Sequence, residues 1–176
     1  MKRFWNSTAG LLLYILIVVG LAFLISKFCI GRVVVDGPSM KNTLQDQESV
    51  IVNKIKTRFM QLDRFDIVVF KYEYEVDTRY IKRVIGLPGE TIQIDNDGNI
   101  FINGELLQED YGREIIEDPG MAIDPITIGE DEYFVLGDNR NNSNDSRDPD
   151  VGLVKKEQLY GVAWLRVYPF KKFGLI

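Results

Sequence analysis

The longest run of apolar positions lies close to the start of the chain. Residues 4–26 carry no charge, and the segment from Ala9 to Ile25 is apolar apart from the hydroxyl of Tyr14. About 20 consecutive apolar residues are enough for a helix to cross the hydrocarbon core of a bilayer. The pattern therefore predicts one membrane-spanning helix over residues 9–30, preceded by a short segment of residues 1–8.

The residues after this apolar run favour a retained anchor over a cleaved leader. A secretory signal peptide has a shorter apolar region and ends in a small-x-small cleavage motif. Here Ile25-Ser26-Lys27-Phe28 follows, without such a motif. We interpret the segment as an uncleaved anchor, with a cleaved signal as the alternative.

Basic residues flank the anchor on both sides. Lys2 and Arg3 precede it together with the terminal amine, while Lys27 and Arg32 follow it. Because basic residues are enriched on the cytoplasmic side of a span, the N-terminal group favours a cytoplasmic N-terminus. We expect a single-pass protein of the cell membrane that contacts membrane lipid, with residues 31–176 on the outer face.

Beyond Gly31 the chain changes to short runs of β-branched and aromatic residues. No long stretch repeats its apolar positions every 3.6 residues, whereas Asp97-Gly98 and Asn103-Gly104 are strong signals for tight turns. The pattern predicts an all-β domain over residues 31–176. The candidate strands are Arg32–Val35, Val50–Lys54, Asp66–Tyr72, Arg79–Leu87, Thr91–Ile94, Ile100–Ile102, Tyr133–Leu136 and Gly161–Val167.

Two segments interrupt the strand pattern. The stretch from Glu105 to Asp131 is rich in Asp, Glu, Pro and Gly, which predicts an insertion at about residues 103–131. The stretch from Gly137 to Gly152 is acidic and rich in turn residues, but an apolar pattern resumes directly after it. We expect an ordered loop there rather than a linker between domains.

The distribution of charge argues against one class of partner. The formal net charge is −5, of which residues 1–30 contribute +3 and the rest −8. Proteins that bind nucleic acid need a basic face, so we expect no nucleic-acid partner. The single cysteine, Cys29, can form no internal disulfide and says little about the compartment.

The chain contains no histidine, which excludes a Ser-His-Asp triad. A lysine held neutral can replace histidine as the base for a serine nucleophile. On a strand, Tyr80, Lys82 and Val84 share one face, and Arg83 lies on the other between large apolar groups. We therefore expect one of these two cations, Lys82 or Arg83, to be buried. Burial lowers the pKa of a lysine toward the range that a general base needs. The alternative for Lys82 is a surface lysine that extends along the sheet.

Ser39 follows Gly37-Pro38 at the end of the run Val33–Val35. A serine at the exit of a strand can present its hydroxyl to a substrate, and the local backbone N–H can stabilise an oxyanion. The alternative is a serine that caps a helix or closes a turn.

The third candidate segment is the loop of residues 137–147. Its acids and amides suggest a calcium loop, but the EF-hand spacing fails, because Ser143 stands where that loop needs glycine if counting starts at Asp138. We predict no metal site there. A surface loop rich in Asx turns is the alternative, but it does not explain why Arg140 and Arg147 are interleaved with the acids.

Together these segments resemble the bacterial type I signal peptidases, in the Gram-positive form with one N-terminal anchor. The resemblance covers most of the chain and follows the family's order. The shared motifs are Gly37-Pro38-Ser39-Met40 with Thr43-Leu44, Asp66–Phe70, Lys82–Glu90, and Gly137–Arg140 through Asp145–Arg147. It implies a membrane-anchored serine endopeptidase that removes signal peptides from exported preproteins after small residues in an Ala-x-Ala pattern. It also implies a β catalytic domain with a small inserted subdomain and no cofactor, and we expect the protein to act as a monomer.

The resemblance also implies roles for individual residues. Ser39 matches the nucleophile and Lys82 the general base. Ser143 matches a hydroxyl that hydrogen-bonds the lysine amine, Asp145 and Arg147 match a supporting ion pair, and Asp138 and Asn142 match residues that order the same loop. The positions that match the lining of the shallow substrate pockets are Val35, Gly37, Met40, Leu44, Tyr80 and Ile81.

Three positions depart from the family's pattern. Asn42 stands where the family usually has proline, and Phe65 where it usually has glycine. Gly37 stands where some members carry a hydroxyl that helps to hold the oxyanion, so the Ser39 N–H would be the main donor here.

Three alternative functions remain at this stage. The same pair of residues could serve a peptidase dedicated to pilin or other surface proteins. The chain could also be a non-enzymatic anchored assembly factor, although it retains both Ser39 and Lys82. A self-cleaving repressor-type protease is disfavoured by the anchor.

Overall fold

The computed structural model describes residues 8–74 and 78–176 of the chain. Its first element is helix α1, Thr8–Phe28, whose residues are all exposed except Gly10. Within the described ranges it is the one helix long and apolar enough to cross a membrane. The predicted helix is confirmed, although it ends at Phe28 and a strand begins at Ile30. The predicted segment 1–8 lies outside the described residues except for Thr8.

The rest of the described chain forms twelve strands and one short α-helix. The strands are β1 Ile30–Val34, β2 Ser49–Asn53, β3 Ile67–Lys71, β4 Arg79–Gly86, β5 Thr91–Ile94, β6 Ile100–Ile102, β7 Glu105–Leu106, β8 Ile126–Thr127, β9 Glu132–Leu136, β10 Val154–Lys155, β11 Leu159–Tyr168 and β12 Gly174–Leu175. Helix α2, Lys54–Phe59, follows β2 directly and is capped by the Asn53 side chain. Single 3-10 turns occupy Gly120–Ile123, Lys156–Gln158 and Phe170–Lys172.

The larger sheet is antiparallel and has the order β1-β2-β11-β3-β4-β9-β10, with β12 also paired to β11. Both faces of its central strands are covered. Ile67 and Val69 of β3 pack into one apolar cluster, and Val68 and Phe70 pack into another on the opposite face. Burial on both faces explains why β3 is a continuous apolar run rather than an alternating one. Strand β1 lies at one edge of this sheet.

The smaller sheet has the order β7-β6-β5-β8. Its inward isoleucines, such as Ile92 and Ile102, share one buried cluster with Phe134 and Leu136 of β9. The predicted turn between β6 and β7 is present, with Asn103 at φ 53° and Gly104 at φ 81°. An apolar core therefore joins the two sheets.

The prediction of an all-β domain is confirmed, and each of the eight predicted strands is present with small shifts at its ends. The smaller sheet begins at Thr91, ahead of the start predicted for the insertion at about residue 103. The reason is that β5 and β6 alternate like strands of the main sheet, so their pattern does not reveal which sheet they join. Helix α2 and the two-residue strands were not predicted, because they are too short to give a periodic signal.

Candidate active site

Ser39 lies in the loop that follows β1. Gly37 has a φ of +87° and donates its N–H to Asp46 Oδ1 at 2.9 Å, a conformation that favours glycine and turns the chain away from the strand. Met40 and Leu44 are fully buried in the core below the loop. These contacts hold the loop on both sides of Ser39, which remains half-buried and open to a ligand.

The loop of residues 137–147 holds the same segment from its other side. Asn139 donates its backbone N–H to the Ser39 carbonyl oxygen at 2.9 Å and its side-chain amide to the Pro38 carbonyl oxygen at 3.1 Å. The sequence analysis gave Asn139 no role, although its place in the Gly137–Arg140 motif could have indicated one. The Ser39 N–H itself has no acceptor among the described residues, so it can donate to a bound ligand.

Lys82 lies in β4 opposite Val68 of β3 and is 4% exposed. Its Nζ is 3.0 Å from Ser39 Oγ and 3.1 Å from the carbonyl oxygen of Ile81. The amine also lies 5.0 Å from the centroid of the Tyr80 ring. The fold therefore brings together the two residues that the sequence resemblance matched to the nucleophile and the base.

The surroundings of Lys82 favour its neutral form. Burial lowers the pKa of Lys82 from its ordinary 10.5 to about 8, and the charge of Asp145 acts in the opposite direction without cancelling this effect. The physical cause is the loss of hydration, which the ammonium form needs more than the neutral amine. A large fraction of the amine is therefore unprotonated near pH 8 and able to accept a proton.

Asp145 and Arg147 form the predicted ion pair, and it is buried. Arg147 Nε lies 2.8 Å from Asp145 Oδ1, and Asp145 Oδ2 accepts the N–H of Gly137 at 3.0 Å. Arg147 also donates to the carbonyl oxygens of Asp118 and Arg140. The pair therefore joins the two ends of the 137–147 loop to each other and to the chain before it.

Asp138 is fully buried and pairs with Arg83, the residue after Lys82. Arg83 Nε and Nη2 lie 2.8 and 2.7 Å from the two carboxylate oxygens of Asp138. The Thr43 hydroxyl donates to the same carboxylate, and the Tyr111 ring centroid lies 3.8 Å from the guanidinium. This bidentate pair ties β4 to both loops of the site. Burial of one cation on β4 was expected, and Lys82 and Arg83 are both buried.

Ser143 is brought next to the predicted pair but without the hydrogen bond expected of it. Its hydroxyl oxygen is buried and has no hydrogen-bond partner among the described residues. A Cβ at Gly137 would lie 2.2 Å from this oxygen, so a glycine at that position makes room for Ser143. Ser143 thus lines the same cavity as Lys82, but its hydroxyl is unengaged and the amine bonds to Ser39 and Ile81.

Asn142 orders the loop less than expected. Its side chain is exposed, and its backbone N–H donates to the Asn139 carbonyl oxygen at 3.0 Å. The buried amide of Asn139 holds this loop to Pro38, and the amide of Asn141 holds it to Ile115 and Glu117.

A cavity of about 290 Å³ opens beside Ser39 and Lys82. Of the six residues predicted to line the substrate pockets, Gly37, Tyr80 and Ile81 line this cavity. Val35, Met40 and Leu44 do not line it and are at most 1% exposed, because they point into the core below the loop. Sequence reasoning missed three apolar residues that do line it: Val33, Val34 and Val69.

The described residues contain no group of three or more Cys, Asp or Glu side chains that could hold a metal ion. The chemistry available at this cavity is that of a serine hydroxyl, a buried amine and a free backbone N–H.

Comparison with known protein families gives a match over nearly the whole chain. The family described as signal peptidase, peptidase S26, matches residues 8–168. This range includes helix α1, every described strand except β12, and all of the residues that line the cavity beside Ser39.

Individual relatives are similar over more than half of the chain. The chain is 41% identical to signal peptidase I P of Bacillus subtilis subsp. natto, over 90% of this chain and 88% of that protein. It is 39% identical to signal peptidase I S of Bacillus subtilis strain 168, again over 90% of this chain and 88% of that protein. A crystal structure of a signal peptidase I from Enterococcus faecalis V583 is 38% identical, covers 58% of this chain and 96% of its own, and superposes with a TM-score of 0.48.

Proposed function

The chain belongs to the signal peptidase family, peptidase S26, and is a membrane serine endopeptidase that cleaves signal peptides, and we propose that Ser39 is its nucleophile and Lys82 its general base. The observation that carries this assignment is the 3.0 Å separation between Lys82 Nζ and Ser39 Oγ. The lowered pKa of the buried amine supports it, because a protonated lysine could not accept the serine proton.

The reaction follows from these positions. Neutral Lys82 takes the Ser39 proton as the hydroxyl oxygen attacks the carbonyl carbon of the scissile peptide bond. The free N–H of Ser39 donates to the oxyanion that forms. The lysine ammonium then protonates the leaving amine, the C–N bond breaks, and Ser39 is left as an acyl ester. Neutral Lys82 then takes a proton from the water that attacks this ester. It passes that proton to the Ser39 oxygen as the acyl group leaves as a carboxylic acid, which restores the hydroxyl and the neutral amine.

The substrate binds as an extended strand along the free edge of β1. Strand β1 pairs with β2 and lies at the end of the larger sheet, so its other edge can accept a peptide by β-augmentation. The adjoining cavity is only about 290 Å³ and is lined by Val33, Val69 and Ile81, among others. Such shallow apolar space suits small side chains, which is the physical basis for a preference for Ala-x-Ala before the cut.

The same proposal extends to the supporting residues and to the setting of the enzyme. Asp138 with Arg83 and Asp145 with Arg147 hold the two loops that carry Ser39 and flank Lys82. The N-terminus lies in the cytoplasm and the β domain on the outer face, where exported preproteins emerge. The enzyme acts as a monomer and needs no cofactor.

The test is cleavage of a purified secretory precursor with an Ala-x-Ala site by the full-length protein in detergent. We expect one cut directly after the second alanine, identified by sequencing the N-terminus of the product, and no cut by the Ser39→Ala variant. A precursor with leucine in place of that second alanine is the control for pocket size and should resist cleavage. A correctly folded wild type that leaves the Ala-x-Ala precursor intact, or a Ser39→Ala variant that cuts it, would contradict the proposal.

A further inference from the structure

A second and larger cleft, of about 1130 Å³, lies on the side of the β domain next to the end of α1. One wall carries four cations, Lys54, Arg58, Lys71 and Arg79, from three different elements. We call these four residues the basic wall. The rest of the charged lining comes from residues 129–132 and 155–157, which contribute four acids together with Lys155 and Lys156. We call these residues the opposite wall, and its charge is mixed.

Three cations of the basic wall lie close to one another. Lys71 of β3 and Arg79 of β4 stand directly opposite each other across the two strands. Lys54 Nζ lies 4.8 Å and the Arg79 guanidinium 4.3 Å from the centroid of the same Tyr160 ring. None of the four cations forms an ion pair with any residue in 8–74 or 78–176. Like charges placed directly opposite on neighbouring strands destabilise a sheet, so a bound anion would relieve this arrangement.

The basic wall begins at the end of the anchor helix. The Lys54 backbone N–H donates to the Cys29 carbonyl oxygen at 2.9 Å, and Lys54 Nζ donates to the Lys27 carbonyl oxygen at 3.2 Å. A Cβ at Gly31 would lie 2.9 Å from both Lys54 Cε and Tyr160 Oη, so these side chains pack directly against the chain that leaves α1. The end of a membrane-spanning helix lies at the level of the lipid headgroups. The basic wall therefore lies where lipid phosphates are found.

Helix α2 presents apolar side chains beside these cations. Ile55 and Phe59 of α2 are 38% and 80% exposed, and Met60, directly after the helix, is 57% exposed. Arg58 lies on the same short helix and is also exposed. Apolar side chains next to cations are the pattern of a segment that lies in a membrane interface.

We propose that the basic wall binds the headgroup of an anionic phospholipid, with Lys54 and Arg79 at the phosphate and Ile55, Phe59 and Met60 in the adjoining acyl region. The mixed charge of the opposite wall leaves the basic wall as the side that faces the anion. Arg79 also lines the cavity beside Ser39, so a bound headgroup would border the catalytic cavity and fix how the β domain sits on the bilayer.

The test measures how tightly the full-length protein binds single lipids. Native mass spectrometry of the detergent-solubilised protein, titrated with phosphatidylglycerol or phosphatidylcholine of matched acyl chains, gives an apparent Kd for each lipid. We expect the wild type to prefer phosphatidylglycerol, and the Lys54→Gln/Lys71→Gln variant to bind it about 25-fold more weakly, about fivefold for each charge removed. Its affinity for phosphatidylcholine should change little.

The matched control is Lys155→Gln/Lys156→Gln, which removes two charges from the opposite wall of the same cleft. This control should keep the preference of the wild type, and circular dichroism should show the same fold for all three proteins. Equal affinity of the wild type for the two lipids, an equal loss in both double variants, or no loss in Lys54→Gln/Lys71→Gln would overturn the proposal. None of these results depends on the cleavage assay, so the lipid site and the Ser39–Lys82 assignment can fail separately.

Discussion

Lys82 presents its amine 3.0 Å from the Ser39 hydroxyl, although the two residues lie 43 positions apart in the chain. Strand β4 fixes the lysine in the middle of the larger sheet, and the buried Met40 and Leu44 fix the loop that carries the serine. The amine is buried with a hydroxyl and a carbonyl oxygen as its hydrogen-bond partners rather than a carboxylate. The protonated, cationic form of the amine is costly in such a place. This cost favours the neutral amine, which the proposed base must be.

Replacing Lys82 by methionine should remove activity while leaving the fold intact. Methionine has a similar length and suits the buried position, but it cannot accept a proton. Because a positioned general base contributes about 10²–10⁴ in rate, we expect kcat/KM for precursor cleavage to fall by at least that range. The control is Lys155→Met, at an exposed position, which should cleave at the wild-type rate. Retained activity in Lys82→Met would remove lysine from the role of base.

The same variant should be more stable than the wild type at neutral pH. The pKa of Lys82 is lowered from 10.5 to about 8 by folding, so below pH 8 the folded protein holds a buried cation that the unfolded chain holds in water. Between about pH 8 and 10.5 the unfolded state binds more protons, so this cost declines as the pH rises. Lys82→Met avoids the cost and should gain roughly 3 kcal/mol in free energy of unfolding at pH 7.

This gain should shrink as the pH approaches 10.5, and denaturant unfolding at pH 7 and pH 10 would measure it. A variant that is less stable than the wild type at pH 7, or an advantage that grows with pH, would show that Lys82 is not buried as a disfavoured cation.

Ser143→Ala should reduce activity less than either change at Ser39 or Lys82. The Ser143 hydroxyl is unengaged here, and its proposed role is to hold the direction of the Lys82 amine during the reaction. Losing an orienting hydrogen bond of this kind costs about 1–2 kcal/mol, so we expect a fall of about 5- to 30-fold in kcat with the thermal midpoint unchanged or slightly higher. A kcat equal to that of the wild type would refute the orienting role.

Asp138→Ala should destabilise the protein as well as slow it. The change leaves the Arg83 guanidinium buried without its partner, which costs about 3–5 kcal/mol for buried ion pairs. Activity should fall too, because Arg83 and Thr43 would no longer bind the 137–147 loop to β4 and the Ser39 loop. The control is Asp110→Ala at an exposed position, which should change stability by less than about 0.5 kcal/mol.

The sequence was enough to predict the long strands and the pair at the centre of the site. Strands such as β4 and β11 are long enough for their apolar pattern to be read, and the motifs around Ser39 and Lys82 indicate chemistry by their order in the chain. Helix α2 has six residues and the smaller sheet contains strands of two, so neither gives a periodic signal.

The lining of the substrate cavity was harder to predict. Met40 and Leu44 are apolar residues close to Ser39, and an apolar side chain there can face either a ligand or the core. Both are fully buried in the core, whereas Val33 and Val69 line the cavity. The sequence also gave no sign that Asn139 clamps the Pro38–Ser39 segment, because that contact joins residues about 100 positions apart.

Phe65 shows how a departure from a family pattern can be understood once the backbone is known. It stands where the family usually has glycine, and its φ is +75°, in the region that favours glycine. Its ring packs 4.9 Å from that of Tyr111, and its carbonyl oxygen accepts a hydrogen bond from Arg83. Packing around Arg83 therefore offsets part of the strain at this position.

The most direct test of the central claim is the pH dependence of kcat/KM for precursor cleavage by the full-length enzyme. If neutral Lys82 is the base, the rate should fall as the pH drops through about 8, because the amine becomes protonated. In a Cys29→Ser background, Lys82→Cys alkylated with an aminoethyl group places a less basic amine at the same point, and the acid limb should move to lower pH. A rate that stays flat down to pH 5, or a limb that does not move with the substituted amine, would contradict the account.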